Sequence, residues 1–292
     1  MKQFILLLLK SLLLLLIVLF VLDVVYTEIY LNSSKRGKIE SVFNSKPQQY
    51  DVVFLGSSRA NNHFVAQLFK EKGLKSFNYG MSGGHLYEAS LLLKLMIERK
   101  YEIKNVILEA DLNLSYEGKS DAISAKFLPY IHQSEIIKAH FSKEPDYLAC
   151  YFMPFYRYIA YDASIGFREA YRTVTNEETV LLKNSGYYPL GKKANANMKN
   201  DLRALKPRRN MYYESIKNLC KINHINLITV MTPMCENTKG LDYFEKVNAI
   251  YPEIHNYENV VEGDAYFSSC GHLNDKGAHV LTARILKDFF NK

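Results

Sequence analysis

Residues 51–59, DVVFLGSSR, indicate the fold class of this chain. The first five of these residues form a short apolar, β-branched run that ends at Gly56, which is typical of a buried strand. An amphipathic helix is predicted over Asn61–Lys72, with Gly73 as its C-terminal cap. A strand that leads directly into a helix is the first half of a β-α unit, so this stretch predicts a parallel sheet.

The alternation of strand and helix continues along much of the chain. Further strands are predicted at Ser76–Tyr79, Asn105–Leu108, Asn226–Met231 and Asn259–Val261. Further helices are predicted at His85–Lys100, Met211–Lys221, Tyr243–Ile250 and Lys276–Phe290. Between about residues 112 and 205 the alternation is lost, and we predict a mainly helical insertion there. Its aromatic run, residues 147–171, favours packing over a ligand platform, although it could also line a groove.

The N-terminal segment is almost wholly apolar from Phe4 to Val25, interrupted by Lys10 and Asp23. A helix of this length is about 30 Å long, enough to cross a bilayer. No small-residue cleavage site follows, so an uncleaved signal anchor is favoured over a removable signal peptide, with a buried core helix as the alternative. We expect the lipid bilayer to be contacted through residues 4–25, the N-terminus to be cytoplasmic and the main domain to be extracytoplasmic.

The predicted organisation is therefore an anchor at 1–29, a polar stalk at 30–49 and one domain at 50–292 that contains the insertion. With 48% hydrophobic residues the chain is not disordered. The net charge is 37 − 30 = +7, but the lysines and arginines form no dense cluster, so no nucleic-acid partner is expected. The four cysteines lack metal-ligand spacing and could be buried thiols or up to two disulfides; no metal or cofactor is expected.

Three predicted loops follow strands and carry residues suited to chemistry. They are Gly56–Arg59, Asn78–Gly84 and Cys270–Gly277. Ligands of open parallel sheets bind beyond the carboxyl ends of the strands, where such loops meet. Each loop also has a purely structural interpretation, as a helix cap, a tight turn and a surface histidine respectively.

Taken together and in this order, the loops resemble the motif blocks of the SGNH (GDSL-like) hydrolase superfamily. The resemblance implies a three-layer α/β/α, flavodoxin-like parallel sheet. It places the nucleophile at Ser58, the catalytic base at His272, and the oxyanion hole at the Ser58 N–H, Gly83 and Asn113. It covers about residues 50–115 and 210–292 and leaves out the insertion.

The sequence departs from the family pattern at two positions. Ser269 stands where the family commonly has the aspartate that orients the histidine, so Ser269, Asp264, Glu262 or a backbone carbonyl could take that role. The family block that supplies an oxyanion asparagine resembles residues 108–113 here, LEADLN. This stretch lacks the usual glycine of that block, so Asp111 competes with Asn113 for the functional position.

An N-terminal anchor followed by such a domain is similar to envelope proteins that work with membrane-bound O-acyltransferases. The resemblance implies a serine acyl-transfer enzyme, an O-acetyl or O-acyl transferase or an esterase, that acts on a cell-envelope glycan or acylated polymer. A non-catalytic glycan-binding or scaffolding protein of a polysaccharide assembly is the alternative. A nucleotide-binding domain is disfavoured, because Gly80, Gly83 and Gly84 form no dinucleotide-binding motif.

Overall fold

The structure, a computed structural model, describes residues 1–177, 179–191 and 197–290. The chain forms two compact units. The first combines Met1–Ser45 with Asp121–Glu178, and the second combines Lys46–Ser120 with Thr179–Lys292.

The elements of the described chain are numbered in chain order. The α-helices are α1 (Lys2–Leu31), α2 (Lys38–Phe43), α3 (Ser58–His63), α4 (Ala66–Glu71), α5 (Leu86–Glu98), α6 (Asp121–Ser124), α7 (Glu135–Phe141), α8 (Tyr147–Phe152), α9 (Tyr156–Ala160), α10 (Asp162–Ile165), α11 (Phe167–Val174), α12 (Met211–Ile222), α13 (Asp242–Ile250) and α14 (Asp275–Phe290). The strands are β1 (Gln49–Leu55), β2 (Ser76–Asn78), β3 (Glu102–Glu109), β4 (Asn200–Asp201), β5 (Asn226–Met231), β6 (Thr238–Lys239), β7 (His255–Asn256), β8 (Phe267–Ser269) and β9 (His272–Leu273). Short 3₁₀ helices lie at Leu112–Ser115, Ala125–Tyr130, Val180–Gly186 and Asp264–Tyr266.

The second unit is built on a parallel sheet of five strands in the order β2-β1-β3-β5-β7. Numbered among themselves, these strands run 2-1-3-4-5, the order of flavodoxin-like folds. Val53 of β1 pairs with Phe77 of β2 on one side and with Val106 of β3 on the other. The predicted fold class is confirmed: the protein is α/β, with a central parallel sheet flanked by helices and an apolar N-terminal helix.

Helices cover this sheet because its central strands are apolar on both faces. Alternate residues of a strand point to opposite faces. Val52 and Phe54 lie in a buried cluster with residues of α3, α4 and α14. Val53 and Leu55 are also fully buried, and α5 and α12 pack against each other in the same unit. Because β1, β3 and β5 are parallel, their carboxyl ends and the loops that follow lie at one edge of the sheet.

Two predicted elements differ in the structure. The helix predicted over Asn61–Lys72 is broken at Phe64 and Val65 into α3 and α4. Side chains replace the helical hydrogen bonds at the break: Asn78 Nδ2 donates to the carbonyl of Phe64 (2.8 Å), and the Val65 N–H donates to Thr282 Oγ1 (3.0 Å). Such bonds between distant residues override the helical spacing of the apolar side chains.

The last strand of the sheet lies at His255–Asn256, so its prediction at Asn259–Val261 was wrong. The Val260 N–H instead donates to the carbonyl of Tyr257 (3.1 Å) in a turn, and Val261 is buried. The apolar pair at Val260 and Val261 therefore serves the core and not the sheet.

The first unit is helical and contains α1. In the described part of the chain, α1 is the one helix long and apolar enough to cross a membrane by length and composition, with a mean hydropathy of 3.2 over its most apolar window. It could serve as a membrane anchor or a signal sequence. Within 30–49, predicted as a stalk, α2 is folded, with Ile39, Val42 and Phe43 buried. The division at 29, 49 and the insertion boundaries stays a prediction.

Candidate active site

Ser58 begins α3 directly after β1 in the second unit. The turn between strand and helix depends on Gly56, whose φ of +135° lies in the region that favours glycine. A Cβ at Gly56 would approach Glu109 Oε2 to 2.8 Å, so a side chain is also sterically excluded there. Ser57 caps the helix by accepting the Arg59 N–H (3.1 Å), which leaves the neighbouring Ser58 hydroxyl for another partner.

The partner of Ser58 is His272, 214 residues further along the chain, with 2.8 Å between Oγ and Nε2. Both side chains are half-buried. If Nε2 accepts the hydroxyl proton, the imidazole carries its own proton on Nδ1. A serine hydroxyl within hydrogen-bond reach of an imidazole is the arrangement that activates a serine nucleophile.

The loop that carries His272 is held from three directions. A disulfide joins Cys270 to Cys235 after β5. Arg59 Nη1 donates to the carbonyl of Gly271 (2.7 Å), and the Leu273 N–H donates to His63 Nε2 (3.0 Å). The residues on both sides of His272 are therefore fixed by partners outside their own hairpin, β8–β9.

Arg59 is a buried guanidinium at the centre of this arrangement. It donates from Nη2 to the carbonyl of Thr232 (2.7 Å) and from Nε to Asp111 Oδ2 (3.1 Å). Its side chain is 4% exposed and that of Asp111 is fully buried. Burial alone would raise the pKa of Asp111, but the positive charge of Arg59 and the hydrogen bonds to the carboxylate lower it below its usual value. Asp111 is therefore an anion that balances Arg59.

His63 is fully buried and neutral. Burial lowers its pKa well below the usual value, and the nearby positive charge of Arg59 lowers it further. Because its Nε2 accepts the Leu273 N–H, its proton is on Nδ1, which lies 3.0 Å from Thr232 Oγ1. Thr232 Oγ1 in turn donates to Asp111 Oδ2 (3.1 Å). A continuous chain of hydrogen bonds thus links Asp111 to the residue next to His272.

Glu109, at the end of β3, holds the other side of the Ser58 turn. Its Oε2 accepts both the N–H (2.8 Å) and the hydroxyl (2.6 Å) of Ser57. Burial, followed by the negative charge of Asp111, raises the pKa of Glu109 to about 8. Within the described residues, its buried Oε1 has no standard hydrogen-bond partner. A proton on Glu109 removes the repulsion between the two carboxyl groups, which explains why they are tolerated together.

The predicted oxyanion residues lie on the loops that meet this edge of the sheet. The loop of Gly83 is tied to the Ser58 turn, because the Met81 N–H donates to the carbonyl of Gly56 (2.9 Å). Gly83 itself is exposed, with a φ of +80° and open space around the position of a Cβ. Asn113 follows Asp111 in a 3₁₀ helix, and its Oδ1 lies 2.9 Å from His85 Nδ1. With Oδ1 accepting from His85, the Asn113 amide is left with its N–H₂ to donate.

The two predicted orienting residues lie close to His272 in the chain. Ser269 pairs with His272 in the β8–β9 hairpin. Asp264 begins the 3₁₀ helix before β8, and its buried Oδ1 accepts no hydrogen bond from any residue that the structure describes. The orienting role of either residue stays a prediction, as do the roles of Gly83 and Asn113.

Sequence reasoning missed three residues of the site, namely Arg59, His63 and Glu109. Each is a charged or polar side chain within or beside an apolar run: Arg59 and His63 follow β1, and Glu109 ends β3. A charged or polar residue beside an apolar run was the signal in the sequence that could have identified these residues, since a buried charge needs a dedicated partner.

Among solved structures, 18 chains match this one. No protein-family model matches the sequence, and no curated protein matches it. A structure of a putative acylhydrolase from Bacteroides fragilis is 14% identical, with 84% of this chain and 89% of that chain covered, at a TM-score of 0.39. A structure described as a putative platelet activating factor from Streptococcus pneumonia is 12% identical, with 100% of both chains covered, at a TM-score of 0.38.

Proposed function

We propose that this protein is a serine acyl-transfer enzyme, an esterase or O-acyltransferase, with Ser58 as nucleophile and His272 as general base. The observation that carries the proposal is the 2.8 Å contact between Ser58 Oγ and His272 Nε2. It joins two distant segments of the chain, and the disulfide, Arg59 and His63 all act on the loop that makes it possible.

The proposed reaction has two halves, the acylation and the deacylation of Ser58. Ser58 Oγ attacks an ester carbonyl while His272 Nε2 takes the hydroxyl proton; the imidazolium then returns this proton to the leaving alcohol, and an acyl-serine remains. Water or a sugar hydroxyl next attacks the acyl-serine, and the same proton relay releases Ser58. The N–H groups of Ser58 and Gly83, with the Asn113 amide, would stabilise the oxyanion in both halves.

We place the substrate outside the cytoplasm, as a cell-envelope glycan or acylated polymer. The apolar helix α1 supports a membrane location. The proposal places its N-terminus in the cytoplasm. The Cys235–Cys270 disulfide supports exposure of the second unit to an oxidising compartment, because such bonds are rare in the cytosol. A membrane-bound O-acyltransferase that supplies the acyl group is the expected partner if the acceptor is a sugar.

The test is active-site labelling of the full chain in lipid vesicles. A fluorophosphonate should form an adduct on Ser58, and the wild type should hydrolyse an aryl acetate. Ser58→Ala should lose the adduct and lower turnover by about 10⁴-fold or more. Ser142→Ala, an exposed serine of the first unit, is the control and should keep both activities. Absence of an adduct on folded wild type, with unchanged turnover in Ser58→Ala, would refute the catalytic proposal.

The alternative is a non-catalytic glycan-binding or scaffolding protein. The observation that favours it is Ser269, which occupies the position where the resembled family has its orienting aspartate. Retention of glycan binding in Ser58→Ala, without measurable turnover in the wild type, would support this alternative.

A further inference from the structure

The last turns of α1 are packed inside the first unit. The Tyr26 ring meets the Phe155 ring edge-on at 4.9 Å, and the Thr27 hydroxyl lies 2.8 Å from the Tyr158 hydroxyl. Asp23 Oδ1 accepts from Arg157 Nη2 (2.7 Å) and Asp23 Oδ2 accepts the Phe155 N–H (2.7 Å). These contacts fix the segment between α8 and α9 against residues 23–27 of α1.

The level of residues 23–27 corresponds to the edge of the hydrocarbon layer if α1 crosses a membrane. From Phe4 to Leu22 the helix spans about 28 Å, close to the thickness of the hydrocarbon core. The Arg157 side chain is 1% exposed and that of Asp23 is 15% exposed. A charged pair is costly in hydrocarbon, so the pair belongs at the boundary with the headgroups.

Large apolar side chains are exposed at this same level. We define the α8–α9 knuckle as residues 152–159. Phe152 is 69% exposed, Met153 is 55% exposed and Ile159 is 63% exposed. Phe152 and Met153 precede Phe155 by only three and two residues, so they lie near the Asp23 level of α1. Val25 of α1, which precedes Tyr26, is 47% exposed.

We infer that the α8–α9 knuckle inserts into the interface of the bilayer that α1 crosses, so that the first unit lies on the membrane. Lipid fits better than a protein partner because the exposed apolar side chains lie at the level of Asp23, where α1 would leave the hydrocarbon layer. The neighbouring polar groups also suit headgroups: Tyr151 is half-buried beside Phe152, and Lys138 Nζ lies 5.5 Å above the Tyr151 ring. Tyrosine and lysine are typical of this zone.

The test uses the absence of tryptophan from the chain, so that one introduced tryptophan is the only one present. Phe152→Trp and Ile159→Trp probe the knuckle. Val174→Trp is the matched control: Val174 is 59% exposed at the end of α11, and neighbouring Glu177 accepts through its carbonyl from Arg36, beyond the end of α1. The full chain is reconstituted in phosphatidylcholine vesicles with and without brominated acyl chains.

The brominated lipid should quench most of the emission of Phe152→Trp and Ile159→Trp and little of that of Val174→Trp. Two positions of the knuckle are tested, so that the experiment still gives a result if one variant fails to fold. Unquenched emission from both knuckle positions would overturn the inference and point to a protein partner, and equal quenching at Val174 would overturn the assigned depth. The inference requires α1 in the membrane but is independent of catalysis, so neither outcome bears on Ser58.

Discussion

The loop that carries His272 and the segments that carry Gly83 and Asn113 are held in different ways. The His272 loop has a disulfide at Cys270 and buried side-chain partners at Gly271 and Leu273. Gly83 is exposed, and the Asn113 side chain is held by His85, which is itself only half-buried. Buried side chains thus hold the loop of the proposed base, whereas Gly83 is exposed and the buried Asn113 side chain has the half-buried His85 as its partner.

The largest effect on stability is expected when Arg59 is replaced. Arg59→Met leaves the Asp111 carboxylate buried without its cation and removes the bonds to Gly271 and Thr232, so we expect a loss of about 3–5 kcal/mol in the free energy of unfolding. Arg59→Lys should also be destabilised, because an ammonium cannot reproduce the guanidinium fork. Chemical denaturation of the full chain in detergent measures both.

Lys104→Met is the matched control, since Lys104 is an exposed cation that pairs with Asp51 in the same unit. Its unfolding should resemble that of the wild type. An Arg59→Met protein as stable as the wild type would show that the buried network does not hold the His272 loop.

Replacing Asn113 tests one of the proposed oxyanion donors. Asn113→Ala should lower kcat by about 10²–10³-fold if its amide stabilises the oxyanion. Asn113→Asp retains an acceptor for His85 but loses the N–H donor, so it should be equally slow, which a merely structural role would not produce. Steady-state ester hydrolysis measures the effect.

Asn226→Ala, which alters an exposed asparagine that donates to Asn105, should leave kcat unchanged. If Asn113→Ala and Asn113→Asp both retained wild-type kcat, backbone N–H groups would be the better assignment for the oxyanion donors.

The smallest effect is expected from Glu109→Gln, as a change in the pH dependence of stability. The pKa of Glu109 is raised to about 8, so its contribution to stability is full at low pH and is lost as the pH rises toward 8. Glutamine stays neutral and can still accept from Ser57. Between pH 7 and about 8, the free energy of unfolding of the wild type should fall with pH, by at most about 1.4 kcal/mol per pH unit. That of the variant should lack this decrease.

Urea unfolding at several pH values checks this, with Glu102→Gln, an exposed residue of the same strand, as the control. His63 does not interfere in this range, because its lowered pKa affects stability only as the pH falls below its ordinary value. Parallel pH profiles of Glu109→Gln and wild type would contradict the raised pKa.

The sequence predicts the order of strands and helices because buried strands and amphipathic helices leave local patterns. The strand at Asn226–Met231 is found with the predicted boundaries. The break at Phe64 and Val65 could not be predicted, because it depends on Asn78 and Thr282, which come from distant parts of the chain. Likewise, the resemblance brought Ser58 and His272 to attention, but nothing local to His63 indicates that it accepts a hydrogen bond from Leu273.

The disulfide at Cys270 also has a consequence for the biogenesis of the protein. In a reducing compartment the two thiols stay separate, and the segment before His272 is held by hydrogen bonds alone. The covalent link forms only where an oxidant is available, which for the proposed exported unit is after translocation. Under the proposed extracytoplasmic location, the His272 loop would gain its last constraint only after export, and a chain that stayed in the cytoplasm would lack the covalent link beside its histidine.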